Sequence, residues 1–249
     1  MAILVSLTFD DGNENLFTEY YPILEDFGFR ATFYVITGLI GKRGMLNNDQ
    51  LKELYIHGNE IGSHTHTHPN LTKIDTASLI FEFKKSKEIL QDFKCDTVAY
   101  PYGYYDERSI YYAMQFYSSA RGYSGKDYRI NDIKMLDKYA LKTISPEHFV
   151  FLHPTFQQGL AIFVFHGKFT ITFDKIMWFI RNRRTAFLNS RTLYNLFRRI
   201  TRINSKAQQC PLIRFKKLCD LLASHEFIEV LTISEALKKS LDFEHLYFE

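Results

Sequence analysis

The sequence predicts an α/β fold built on a parallel sheet, and two observations carry that prediction. Short, apolar, β-rich runs alternate with longer amphipathic stretches along the 249 residues. Repeated strand–helix units of this kind lay successive strands parallel through right-handed crossovers. In addition, the conspicuous polar residues fall just after the ends of the apolar runs: Asp10 and Asp11, the histidines from 64 to 68, Tyr102 and His166. In an α/β barrel that end of the strands is the face where catalytic groups gather. With no internal repeat and no low-complexity linker, residues 1–249 read as a single domain.

The elements follow in chain order. ILVSLTF (3–9) is a buried strand, and ENLFTEYYPILEDFG (14–28) a helix stopped by a glycine. RATFYVI (30–36) is a strand, NNDQLKELYIHG (47–58) a helix, and EIGSHT (60–65) a short strand running into the histidine loop. DTASLIFEFKKSKEILQDF (75–93) is a long helix, and TVAYPYG (97–103) a strand ending in a Pro-Tyr-Gly turn. A helix near 106–117 and strands at 118–123 and 139–144 come next, then the strongly apolar strand GLAIFVFHG (159–167). Helix FKKLCDLLASH, strand FIEVLTI and helix SEALKKS close the chain.

A composition of 46% hydrophobic, 16% aromatic and 24% charged residues is that of a folded globular chain. No apolar run approaches the ~18 residues that span a bilayer. MAILVSLTFDDG lacks a basic n-region and a small-residue cleavage site, so it reads as a first strand and the expected location is cytoplasmic. Cys95, Cys210 and Cys219 show no CxxC spacing, which indicates neither a disulfide framework nor a cysteine zinc site. Charge is unevenly placed. Residues 175–217 hold twelve basic and no acidic residues, leaving 19 basic against 28 acidic elsewhere, a net of −9. An acidic body with one basic segment points to a partner or a solvated face.

Asp10-Asp11-Gly12 ends the first strand, where two adjacent carboxylates repel unless a cation or proton separates them. GSHTHTHPNL (62–71) puts imidazoles at 64, 66 and 68, a hard pattern to explain as packing. One carboxylate with two imidazoles is an open ligand set that leaves room for water and substrate. The second carboxylate is then free to take a proton from water acidified by the ion.

TFDDG (8–12), HTHTH (64–68), AYPYG (99–103) and FVFHG (163–167) resemble the ordered motifs of the polysaccharide deacetylase family, carbohydrate esterase family four. The resemblance implies a distorted (β/α) barrel that removes acetyl groups from N-acetylated sugars with one divalent ion. The ion is zinc-like, with cobalt or another transition metal fitting the same donors. Carried over by motif, Asp10 is the general base and Asp11, His64 and His68 are the ligands, with His66 the spare. Residues four apart share a face if the loop turns helically. Pro101 and Tyr102 belong to the turn whose tyrosine N–H steadies the oxyanion, and His166 is the general acid that protonates the leaving amine.

The pattern departs from that family in two places. Ala99 stands where many members have arginine, and Arg121 is the candidate to replace it against the base aspartate and beside the substrate. The aspartate–tryptophan pair that tunes the acid histidine is not visible: Trp178 is the only tryptophan, and Asp127, Asp132 and Asp137 are the candidate partners. A basic helical insertion near 174–213 lies between His166 and the closing helix, with apolar residues at helical spacing between arginines. Through 175–217 it is expected to meet an anionic membrane surface or a phosphate-bearing carrier, placing the protein peripherally at the membrane. Nucleic acid ranks last as a partner, because no RNA- or DNA-binding motif accompanies the segment. Competing functions are a same-fold deformylase or amidase acting on another C–N bond, and a non-catalytic sugar-binding relative. A metallo-β-lactamase-type reading of HTHTH fails, since Thr67 rather than aspartate precedes His68.

Overall fold

The computed structural model describes residues 3–122, 131–132, 135–143, 159–166, 211–226 and 228–245. Its centre is β1 (Ile3–Asp10), which pairs in parallel with β6 (Leu160–His166) from Leu4↔Leu160 to Asp10↔His166. The other edge of β1 is shared. β2 (Thr32–Val35) takes its upper end at Thr8 and Phe9, and β7 (Ile228–Val230) its lower end at Ile3–Val5. Beyond β2 come β3 (Glu60–Ser63), β4 (Thr97–Ala99) and β5 (Ser119–Arg121), all parallel. The order β5-β4-β3-β2-β1-β6 is a curled sheet that steps one strand at a time, the half-barrel expected of repeated βα units.

Alternation along β1 divides its side chains between two environments. Val5, Leu7 and Phe9 face the helix layer, where Phe9 stacks on Phe33 (5.0 Å) and Phe165 (5.2 Å) and meets Tyr20 and Phe215 edge-on. Leu4, Ser6, Thr8 and Asp10 line the other face. At its floor Leu4 packs with Leu160, Ile162 and Ile233, and at its rim stands Asp10. One apolar run therefore builds the core and delivers a carboxylate to the strand ends.

Helices α1 (Tyr21–Asp26), α2 (Asn48–Ile56), α3 (Thr76–Ile89) and α4 (Glu107–Phe116) connect these strands, followed by α5 (Pro211–Ala223) and α6 (Ile233–His245). The stretch expected to be one helix over 14–28 opens instead with a wide π-turn at Leu16–Tyr20 before α1. α6 is tied beneath the sheet by a reciprocal Thr232–Glu235 cap and by Glu60, which accepts from the Thr32 hydroxyl (2.8 Å) and from the Ser234 hydroxyl and N–H.

One further expectation needs correcting. Residues 139–144 do not form a strand over their described part: Leu141 makes a single bridge to Arg121, and Asp137–Ala140 is a turn. The Lys142 N–H and carbonyl are taken by the side-chain amide of Asn131 rather than by a neighbouring strand. Asn131 also bridges Leu160, so this short segment spans from β5 to β6. The basic insertion near 174–213 lies outside the described residues up to 210, but Pro211, Leu212 and Ile213 belong to α5. Proline is well placed at the start of that helix, where its missing N–H costs nothing.

Candidate active site

Three loops at the strand ends hold the site, and their backbone is strained. Of the five described non-glycine residues with positive φ, four are site residues: Asp11, Thr65, His68 and Tyr102. Left-handed backbone at non-glycine residues costs about 1–3 kcal/mol each and persists only where its surroundings enforce it. At the first loop, Asp11 (φ 71) and Gly12 (φ 76) reverse the chain directly after β1. A Cβ on Gly12 would lie 3.0 Å from Val35, so the turn requires glycine on both counts.

Asp10 is buried and is met by the guanidinium of Arg121, which is itself only 1% exposed. Arg121 also lies over the Tyr34 ring, 4.4 Å from its centroid. Room for that ring comes from Gly62, where a Cβ would sit 2.6 Å from it. Burial pushes the Asp10 carboxyl up, but Arg121, with His64 and His166 behind it, outweighs burial and holds it below the usual carboxylate range. So Arg121 reaches the aspartate but, being enclosed, does not line the substrate space. Pro101 is likewise buried and shapes its turn from beneath. The sequence grouped both with substrate-facing residues, and the structure places them behind that surface.

His64 follows β3, and its Nδ1 donates to the Ala99 carbonyl (2.8 Å) at the end of β4. That bond fixes the tautomer and turns the Nε2 lone pair outward. Nε2 lies 3.2 Å from His68 Nε2, and an Asp11 oxygen stands 3.7 Å and 3.9 Å from the two nitrogens. Two inward-facing imidazole lone pairs and a carboxylate are mutually satisfied by a cation. Donors about 2.0–2.1 Å from a tetrahedral zinc ion stand roughly 3.3 Å apart, close to the observed spacing. Burial pushes both imidazoles below their ordinary range, and for His64 this outweighs the pull of Asp10. Neutral imidazoles are what a metal requires.

The loop reaches this arrangement without the helical turn the i, i+4 spacing suggested. Left-handed residues at Thr65 and His68 fold it back, with the His68 N–H donating to Thr65 Oγ1 (3.1 Å). His66 points away, bonding Thr37 Oγ1 through Nδ1 (3.0 Å) and meeting Phe81 edge-on. Between the ligands, the buried carboxylate of Glu82 on α3 accepts from the backbone of His66 (2.8 Å) and Thr67 (2.7 Å) and from the Thr67 hydroxyl (2.5 Å). Sequence reasoning passed over Glu82. Its signal is a charge on the core stripe of α3, where Leu79, Glu82, Phe83 and Ser86 are the buried positions.

On the opposite side the turn Pro101–Gly103 turns the N–H groups of Gly103 and Tyr104 inward, to the carbonyls of Tyr100 and Pro101. Tyr105 anchors the turn by stacking on Tyr100 (5.0 Å). The ring of Tyr102 meets His68 at 4.6 Å, and Tyr102 and Tyr104 are each 58% exposed. His166, 54% exposed, sits beside Asp10 with Nε2 3.8 Å from its Oδ2. Asp137, a candidate partner for His166, accepts instead from the Tyr139 N–H. Asp127 and Trp178 lie outside the described residues.

Asp10, Asp11, His64, His68, Tyr102 and His166 thus converge at the strand ends. Residues 2–117 match the family profile described as polysaccharide deacetylase. This region is similar to the polysaccharide deacetylase family. The poly-β-1,6-N-acetyl-D-glucosamine N-deacetylase of Staphylococcus aureus is 35% identical over 116 residues, 40% of each chain. Curated relatives are matched over about two-fifths of their own length. Among solved structures, the Streptococcus pyogenes deacetylase PplD in complex with acetate is 28% identical, with a TM-score of 0.50 over 56% of this chain and 64% of that one. T48 deacetylase with substrate has a TM-score of 0.58 over 96% of this chain and 92% of its own, at 16% identity, a likeness of fold. The fold is the (β/α) barrel of these deacetylases.

Proposed function

We propose that the protein is a divalent-metal-dependent hydrolase that removes an N-acetyl group from an amino sugar in a glycan or glycan precursor. The observation that carries this reading is the Asp11–His64–His68 donor set, whose ligating atoms all lie within 4.8 Å of one another beside the buried Asp10–Arg121 pair. When bound there, a zinc-like ion supplies a Lewis acid that lowers the pKa of water toward neutrality.

The chain's own residues supply the rest. Asp10, kept ionised by Arg121, accepts the proton of the attacking water as general base. The Tyr102 N–H donates to the oxygen that becomes negative as the amide carbon turns tetrahedral. His166, exposed beside the buried Asp10, carries a proton to the departing amine nitrogen. Tyr102 and Tyr104 offer aromatic faces to a pyranose ring beside His68. The S. aureus relative, named for a polymer of N-acetylglucosamine, supports the substrate class.

Acetate release from chelator-stripped and zinc- or cobalt-reloaded protein tests the proposal. The panel spans free, nucleotide-linked, lipid-linked and polymeric N-acetyl sugars, with N-formyl analogues beside them. Metal-restored acetate release from at least one N-acetyl sugar is expected, and release from none of them sinks it. The lipid- and nucleotide-linked members also probe the proposed encounter of residues 175–217 with a membrane or phosphate-bearing carrier.

A further inference from the structure

Among the described residues, Glu82 is a carboxylate that touches the metal-ligand loop without being a ligand or a base in the reading above. The residue is 5% exposed, and both of its carboxylate oxygens are committed to two consecutive residues between His64 and His68. The same helix face acts one turn further on. Ser86 bonds the Ser63 hydroxyl (2.7 Å), and that hydroxyl accepts from the Thr65 N–H (3.1 Å). α3 therefore holds the loop at both ends of its left-handed bend, and the bend is what sets the His68 ring against His64.

We infer that Glu82 is a positioning residue for the metal ligands, acting through the three hydrogen bonds that lock His66 and Thr67. The inference rests on the reading that Asp11, His64 and His68 hold a divalent ion. Without the carboxylate, two backbone N–H groups and a hydroxyl must find water, and the strained φ at Thr65 and His68 loses its enforcement. Relaxation there moves His68 while leaving the strands in place. Partners that orient ligands typically contribute 10–100-fold in metal affinity. The hydrogen-bonding pattern also says which substitution should succeed. The amide oxygen of a glutamine can accept both N–H groups while its NH2 donates to the Thr67 oxygen, so charge is dispensable and shape is not.

The test measures zinc and cobalt affinity of the full, chelator-stripped chain by competition with a chromophoric chelator, beside the melting temperature of each metal-free protein. Glu82→Gln should bind within about threefold of the wild type. Glu82→Ala should bind roughly 10–100-fold more weakly. Thr67→Val, at an exposed position, should weaken binding in the same direction by less, which keeps the inference testable if Glu82→Ala does not fold. A merely structural role would lower the melting temperature and leave affinity alone. Wild-type affinity in Glu82→Ala or Thr67→Val overturns the inference, as does a Glu82→Gln protein as weak as the alanine variant. A wild-type chain that binds neither ion overturns the metal reading itself, a different result from tight binding that all the variants share.

Discussion

Replacing Arg121 with methionine removes the charge beside Asp10 and keeps most of the side-chain volume. Both partners are enclosed, with side chains 1% and 5% exposed. Breaking a buried pair from one side leaves an uncompensated charge and costs about 3–5 kcal/mol. For a chain of this size each kcal/mol moves the melting temperature by about 2–4 °C, so a fall of roughly 6–20 °C is expected at neutral pH. The pH dependence carries more information. In the wild type the Asp10 pKa is depressed, so the pair's contribution is present above the unfolded carboxylate value of about 3.9 and is lost as pH falls through the folded value. In the variant, burial is left to push the same carboxyl up, so its penalty grows as pH rises past about 3.9. The gap between the two proteins should therefore widen from acid to neutral pH. Thermal unfolding followed by circular dichroism on metal-free samples from pH 4 to pH 7 measures it. A gap that stays constant across that range, or one below about 1 kcal/mol at pH 7, would refute the reasoning.

Four further outcomes can be checked. His68→Ala should abolish tight zinc binding and His66→Ala should leave it largely intact, by metal analysis after dialysis; equal loss in both would contradict the ligand choice. Because both ligand imidazoles lie below their ordinary range, metal should be retained as pH falls through about 6.5 and be lost only below it, in a pH titration of bound cobalt absorbance. His166→Ala should slow N-acetyl sugars about 10²–10⁴-fold while sparing activated aryl acetates, whose leaving groups need no proton; equal slowing would remove it as the acid. Tyr104→Ala should lower the ratio of kcat/KM for an N-acetylglucosamine oligomer to that for an aryl acetate about tenfold, an effect of roughly 1.4 kcal/mol, and an unchanged ratio would leave Tyr104 outside the sugar path.

The strand ends were the most legible part of the chain. Period-two alternation in ILVSLTF fixes which side chains share a face with Asp10, and the parallel register then sets His166 beside it. The loop geometry was less legible, because HTHTH satisfies a helical spacing while the actual bend depends on φ at Thr65 and His68. That bend is enforced from α3 by Glu82, a contact across 16 positions that no local pattern announces. Arg121 was found as a candidate partner for Asp10, but its enclosure follows from Gly62 on β3 making room for Tyr34 on β2, three strands from β5. The apparent strand at 139–144 misled for a similar reason, since its β-rich composition says nothing of the Asn131 side chain that takes the place of a strand partner.

The most direct test of the central claim compares acetate release by the wild type and by Asp10→Asn, with bound zinc measured in the same samples. The account predicts that both proteins hold about one ion per chain. It also predicts that Asp10→Asn releases acetate from N-acetylglucosamine oligomers about 10²–10⁴-fold more slowly, the loss expected for a missing general base. A variant that keeps its metal and its turnover, or that loses both together, would contradict the division of labour between Asp10 and Asp11.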